Sequence, residues 1–359
     1  MKKLLSLFVV LVLASGFIFA NGSSETSDQM KVGVSMPTKS LQRWNQDGSN
    51  MKEKLEAAGY KVDLQFAGDN DIPTQVNQVE NMIMSNCDAI VIAAIDGSAL
   101  TEVLKEAKEK DIPIISYDRL IMNSDAVSYY ATFDNFGVGV IQGQYLKDAL
   151  DLDNREEPAY MEFVTGAPDD NNCVYFWGGA MSVLKPYLDN GKIICKSGQV
   201  ERAQCSTPNW STEEAQKRME NIIYSIGYGP EGQRLDAVLS SNDSCAQGIT
   251  NALVEAGYTK ENFPYLTGQD CDVTSVKNMI AGLQSMSVFK DTRTLAEKVV
   301  GMVDSLMKGS EPEINDVKTY DNGTGIIPSY LCTPVYGSAD NYQELLVDSG
   351  YYTPEQLGI

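Results

Sequence analysis

The chain has 359 residues, 43% of them hydrophobic and 21% charged, which suits two ordinary globular domains or one large one and excludes a disordered or membrane-embedded protein. Its formal charge of −21 argues against a nucleic-acid surface and against anionic lipid, and favours a neutral or cationic ligand. Histidine is absent, which removes the commonest general base and the commonest neutral metal ligand but leaves Asp, Glu, Lys or Cys chemistry open.

The first element is MKKLLSLFVVLVLASGFIFA, a positive start, a short apolar run and a small-residue end at Ala20. This pattern predicts a signal peptide over residues 1–20, followed by a polar linker over 21–30. Its removal takes Lys2 and Lys3 and lowers the charge by two, from −21 to −23. The first cysteine is Cys87, so no lipid anchor is expected, and the exported protein is expected to be soluble.

From residue 31 apolar runs alternate with amphipathic stretches. KVGVSM (31–36), KVDLQF (61–66), AIVIAA (89–94), IPIISY (112–117) and VSYYATF (127–133) predict strands, with helices over 41–59, from Pro73 to about Asn86, and over 98–110. A helix over 135–149 leads into the second half. There PAYMEFVTG (158–166), GKIICKSG (191–198), LDAVLSS (235–241), FPYLTG (263–268) and LQSMSVF (283–289) predict strands, and helices fill 172–189, 211–226, 244–257, 273–281 and 293–308. Such alternation predicts an α/β fold with doubly wound parallel sheets. Ten strands exceed a comfortable single sheet, so two lobes are expected.

Seven cysteines occur with no C-x-x-C spacing, which gives no support to a zinc cluster. Cys195 and Cys205 flank a short loop and are the one pairing suggested; buried free thiols are the alternative. GYGPEG (227–232) matches a dinucleotide fingerprint but follows a helix and precedes a strand, the reverse of the required context. DLDNREE (151–157) lacks the glycine and the final glutamate of a calcium loop. Neither a cofactor nor a metal is expected.

Ligands of open α/β sheets bind beyond the carboxyl ends of the strands. Those ends carry Arg43 and Trp44, then Asp96, Asp118 with Arg119, and Asp134 with Asn135. In the second half they carry Asp169 to Asn172, then Asn242 with Asp243, Gln269 with Asp270, and Lys290. Carboxylate, amide and guanidinium groups read neighbouring hydroxyls, and aromatic rings pack on the C–H faces of a sugar. Adjacent Asp118 and Arg119 can hold each other's charge while pointing into a cleft, or form a structural salt bridge. Trp44 and Trp210 are the candidate stacking platforms, although Trp44 also suits a core and Trp210 also precedes a helix capped by Ser211. Asp134, and Asp243 or Ser244, equally suit helix caps, and Lys290 a solvated helix start.

In order, QRW (42–44), YDRLIMN (117–123), FDN (133–135), PDDNN (168–172), SND (241–243), GQD (268–270) and VFKD (288–291) resemble the monosaccharide-binding proteins of sugar ABC transporters, in the xylose-binding and multiple-sugar-binding branch. The likeness runs from about residue 31 to the C-terminus. It implies the type I periplasmic binding protein fold, two lobes joined by three hinge crossovers that close around one sugar. The lobes would comprise 31–135 plus 290–309, and 136–289 plus 310–359. By position, Arg43, Asp118 and Arg119 would bond the sugar from the first lobe with Trp44 on its ring, and Asn172 or Asn171, Asn242 and Asp270 from the second with Trp210 opposite. Lys290 would touch the sugar edge. The implied protein is a periplasmic monomer with no enzymatic activity. It would deliver an aldopyranose to a membrane permease, or present its closed form to a chemoreceptor or sensor kinase. An enzyme using Asp118 and Asp270 is the third reading, opposed by the arginine beside the first acid.

Overall fold

The computed structural model describes residues 29–359; the expected signal peptide and most of the linker lie outside the described residues. In the first lobe the strands β1 (Lys31–Met36), β2 (Lys61–Phe66), β3 (Ala89–Ile92), β4 (Ile114–Tyr117) and β5 (Val127–Phe133) alternate with α1 (Gln42–Ala57), α2 (Ile72–Met84) and α3 (Thr101–Glu109). All the strands pair in parallel, in the order β2-β1-β3-β4-β5. β3 and β4 are apolar or small throughout and wholly buried, because helices cover both faces. On one face Leu55 of α1 and Val299 of α9 (Thr292–Met307) pack on Val34 and Val91; on the other, Val79 and Leu104 pack on Ile90 and Ile92.

The chain crosses into the second lobe through α4 (Asn135–Ala149). There β6 (Ala159–Val164), β7 (Ile193–Ile194), β8 (Ala237–Ser240) and β9 (Tyr265–Leu266) form a parallel sheet in the order β7-β6-β8-β9. β10 (Met286–Phe289) extends it through the Val288 N–H to Gly268 O bond, 3.0 Å, and the Asp270 N–H to Val288 O bond, 2.8 Å. α5 (Asn172–Asp189), α6 (Thr212–Ile226), α7 (Asp243–Glu255) and α8 (Val273–Ala281) complete the lobe. α4 and α5 touch backbone to backbone. A Cβ on Gly139 would stand 2.0 Å from Phe176 O, and one on Gly179 the same distance from Phe136 O. Glycine is the one residue that permits that approach.

Four expectations change. Strands expected over 191–198 and 263–268 shrink to two residues each, the length over which each pairs with its neighbour. The segment 310–359 does not lie wholly in the second lobe: β11 (Ser329–Cys332) pairs in parallel with β5, and β12 (Val335–Ser338) then pairs antiparallel with β10. A short α10 (Pro354–Leu357) follows. α7 is capped by Asn242, whose Oδ1 accepts the Cys245 N–H at 3.0 Å, and not by Asp243 or Ser244. Cys195 and Cys205 are free thiols, both donating to Gln199 O, at 3.6 and 3.2 Å. Among the described residues no helix is long and apolar enough to cross a membrane.

Candidate functional site

The carboxyl ends of the two sheets face one cavity. Nine of the ten expected residues line it: Arg43, Trp44, Asp118, Arg119, Asn172, Trp210, Asn242, Asp270 and Lys290. Asn171 does not. It is the residue before α5 in helical conformation, so the next side chain, Asn172, takes the inward direction.

The Asp118–Arg119 pair is arranged differently from the expectation. Asp118 has φ +59°, and Arg119 N–H donates to Tyr117 O at 2.6 Å, closing a three-residue turn at the end of β4. The two side chains therefore diverge and find separate partners. Asp118 Oδ2 accepts from Arg43 Nη2 at 2.5 Å, while Arg119 Nε lies 3.0 Å from Asp170 Oδ2. The strained backbone is held in place at one atom. Asp118 O accepts from Tyr130 Oη at 2.5 Å, Asn172 Nδ2 at 2.9 Å and Thr132 Oγ1 at 3.0 Å.

Arg43, in the first turn of α1, meets a carboxylate at each of its three nitrogens, Nε on Asp47 at 2.9 Å, Nη2 on Asp118 and Nη1 on Asp270 at 3.1 Å, and keeps a second N–H on each Nη. Lys290 is not solvated; it is 3% exposed, and its Nζ lies 2.8 Å from the same Asp270 oxygen. Behind Arg43, Tyr117 donates a short hydrogen bond to the other oxygen of Asp47. Trp44 is both core and cavity wall, with the Arg119 guanidinium 5.1 Å from its ring centre. Trp210 lies against the backbone of Gly166, and its indole N–H donates to Asp170 Oδ2 at 3.1 Å.

A family model described as a periplasmic binding protein domain matches residues 32–311. The chain belongs to the periplasmic binding protein family. It is 49% identical over 344 residues to a multiple sugar-binding periplasmic protein of Azospirillum brasilense, covering 95% of each chain. It is 46% identical to the multiple sugar-binding periplasmic receptor ChvE of Rhizobium radiobacter, over 99% of this chain and all of that one. A Clostridium phytofermentans ABC-transporter solute-binding protein with bound β-D-glucose superposes with a TM-score of 0.88. It is 59% identical, and the match covers 91% of this chain and 99% of that one. These relatives bind solutes, and the expectation of a binding protein rather than an enzyme holds.

The site electrostatics of this periplasmic binding protein agree with that. Burial alone would raise the Asp118 carboxyl, but Arg43, Lys290 and Arg119 outweigh it and hold the group below the ordinary carboxylate range. A general acid needs the opposite shift. Burial also works against the Arg43 charge, and Asp118, Asp47 and Asp270 more than restore it. Burial raises Asp170 despite Arg119. Among the described residues no group of three or more Cys, Asp or Glu side chains is placed to hold a metal ion.

Leu41, Asp170, Phe176, Ser244, Gln269 and Asp272 also line the cavity. Asp170 and Gln269 stood among the strand-end residues without being selected. Phe176 carried a usable signal, because it follows Asn172 by one helical turn and so shares its face. Leu41, Ser244 and Asp272 had none in the sequence.

Proposed function

We propose that this protein captures an aldopyranose of the xylose, glucose, galactose or arabinose class between its lobes and hands it to the permease of an ABC transporter. The observation that carries the reading is the cavity wall: charged groups paired with one another, in a cavity that Trp44, Trp210 and Phe176 also line. Paired groups stay ionised when buried and keep lone pairs and N–H groups for hydroxyls. In this reading Arg43, Asp118, Arg119, Asn172, Asn242, Asp270 and Lys290 hold hydroxyls, and the two tryptophans cover the ring faces. The Asn242 carbonyl oxygen is occupied as a helix cap, which leaves its amide N–H groups for the sugar. The 59% identical relative holding β-D-glucose supports a hexopyranose.

Bonds between the lobes give closure its physical basis, because a sugar that adds contacts to both lobes shifts the population toward the closed form. The periplasmic relatives support export of the chain. A sensor role, with the closed form docking on a chemoreceptor or sensor kinase, is favoured by one observation, the 46% identical relative called a receptor. Calorimetric titration with xylose, glucose, galactose and arabinose tests the binding reading, and silence with all four ends it. Co-purification of permease or kinase with and without sugar separates the two destinations.

A further inference from the structure

Three cationic groups and four carboxyls line the cavity. Asp118 pairs with Arg43, Asp170 with Arg119, and Asp270 with Arg43 and Lys290. Asp272 has no ion-pair partner among the described residues. It is 6% exposed, and its Oδ1 has no hydrogen-bond partner at all. A buried acceptor left empty costs about 1–3 kcal/mol, so this position calls for a donor that the chain itself does not supply.

The local structure offers a use for that side chain which it does not take. Asp272 is the N-cap residue of α8, where an aspartate ordinarily accepts a backbone N–H of the first turn. Here it makes no such bond, and the first N–H of the helix, on Val273, goes instead to Gln42 Oε1 of the first lobe at 3.1 Å. Its neighbour Asp243 shows what a structural carboxylate looks like in the same place. Both Asp243 oxygens are satisfied, by Ser287 Oγ at 2.8 and 2.9 Å, Gln284 Nε2 at 3.0 Å and the Asp272 N–H at 2.8 Å.

We infer that Asp272 is a specificity-determining residue of the cavity, accepting a hydrogen bond from one particular hydroxyl of the bound aldopyranose. This rests on the sugar-binding reading above. A site built around a hydroxyl discriminates strongly against the ligand that lacks it, because the buried acceptor is then left empty. Asp272 thus selects among sugars that the paired groups hold alike. The carboxyl faces Asp270 beside it, Asp243 from α7, Arg43 from α1 and Lys290 after β10. Burial, then Asp270, push it up to about 7 while Arg43 and Lys290 pull the other way; neither cation is bonded to it, and its Oδ1 stays open to a hydroxyl.

The experiment is isothermal titration of wild type, Asp272→Ala and Asp272→Asn with D-glucose and with each of its monodeoxy analogues. Asp272→Ala is expected to weaken glucose binding about 10–100-fold. One deoxy analogue should bind wild type and Asp272→Ala equally, since both lack the same contact. Asp272→Asn keeps a carbonyl acceptor and should lose less, with the same analogue spared, so the test stands even if the alanine variant fails to fold. Loss by one common factor for glucose and every analogue overturns the inference in favour of a structural role. Unchanged glucose affinity in both variants overturns it too, leaving a water as the donor. Wild type that binds none of the aldoses sinks the sugar-binding reading itself, and this inference with it.

Discussion

Arg43 and Asp270 meet across the cleft at 3.1 Å, and the Asp270 oxygen that receives the guanidinium also receives Lys290 at 2.8 Å. The pair joins α1 of the first lobe to the loop after β9 of the second. It is aligned by the Asp47 carboxylate, which holds Nε of the same guanidinium from one helical turn away. One planar fork therefore fixes Asp47, Asp118 and Asp270 at once. Arg43→Lys keeps the charge and loses the fork. Each charged hydrogen bond lost costs about 1.5–3 kcal/mol. Sugar affinity by calorimetry should fall at least about 100-fold, and the unliganded protein should melt at a lower temperature. A lysine variant with wild-type affinity would show that charge alone suffices at this position.

Asp118 is best tested by asparagine. Its φ of +59° is a conformation that Asp and Asn tolerate and alanine does not. Asp118→Ala would add about 1–2 kcal/mol of backbone strain to any loss of contacts. Asp118→Asn keeps the turn and the three bonds to Asp118 O, and removes the charge that Arg43 meets. Its expected result is loss of measurable sugar binding with a smaller drop in melting temperature than Asp118→Ala gives. Equal affinity in wild type and Asp118→Asn would make the Arg43–Asp118 contact purely structural.

The alternation of strand and helix was legible because the central strands are wholly buried and read as unbroken apolar runs, while their helices carry a 3.6-residue stripe. β7 and β9 were overestimated because two paired residues leave no periodicity to count. β11 and β12 were invisible for a different reason: SYLC and VYGS lie among glycine and proline, with no helix between them to announce a crossover. At the site, eight of the nine expected residues that line the cavity came from the rule about strand ends, and Trp210 from its aromatic ring. The rule could not tell who pairs with whom. Asp118 and Arg119 are neighbours in sequence, yet a left-handed residue at the turn sends one to α1 and the other to Asp170. Asp272 was missed because an aspartate before a helix reads as a cap, and only the structure reveals that the cap bond is absent.

Buried acids give the unliganded protein an unusual pH dependence. Burial raises Asp47 to about 6 and, with Asp270, Asp272 to about 7, and it also raises Asp243. These groups titrate near 3.9 when unfolded. Between about pH 4 and 7 the folded state therefore binds more protons than the unfolded one, and stability falls as pH rises through that window. The melting temperature should be higher near pH 5.5 than near pH 8, and Asp272→Asn should flatten the upper part of the slope. Far below pH 4 the sign reverses, as Asp118, Asp69 and Asp304, whose folded values are lowered, lose their charge. A melting temperature that rises steadily from pH 5.5 to 8 would contradict the assignment.

Gly166 tests whether packing behind the site controls it. The glycine follows β6 and Thr165, and a Cβ there would stand 2.2 Å from two ring carbons of Trp210. No ordinary contact is that short, so Gly166→Ala must push the indole away. The push has consequences along a chain of contacts: the indole N–H holds Asp170 Oδ2, and that same oxygen lies 3.0 Å from Arg119. Displacing the ring would thus remove the proposed stacking platform and loosen the guanidinium on the opposite wall. Gly166→Ala should weaken sugar binding by at least about tenfold, the scale of one buried aromatic contact, and alter the tryptophan emission of the unliganded protein. Trp210→Ala made in the Gly166→Ala background should then cost far less than it costs in wild type, because the two changes act on one contact. Additive losses would instead mean that Gly166 acts on the fold and not through Trp210.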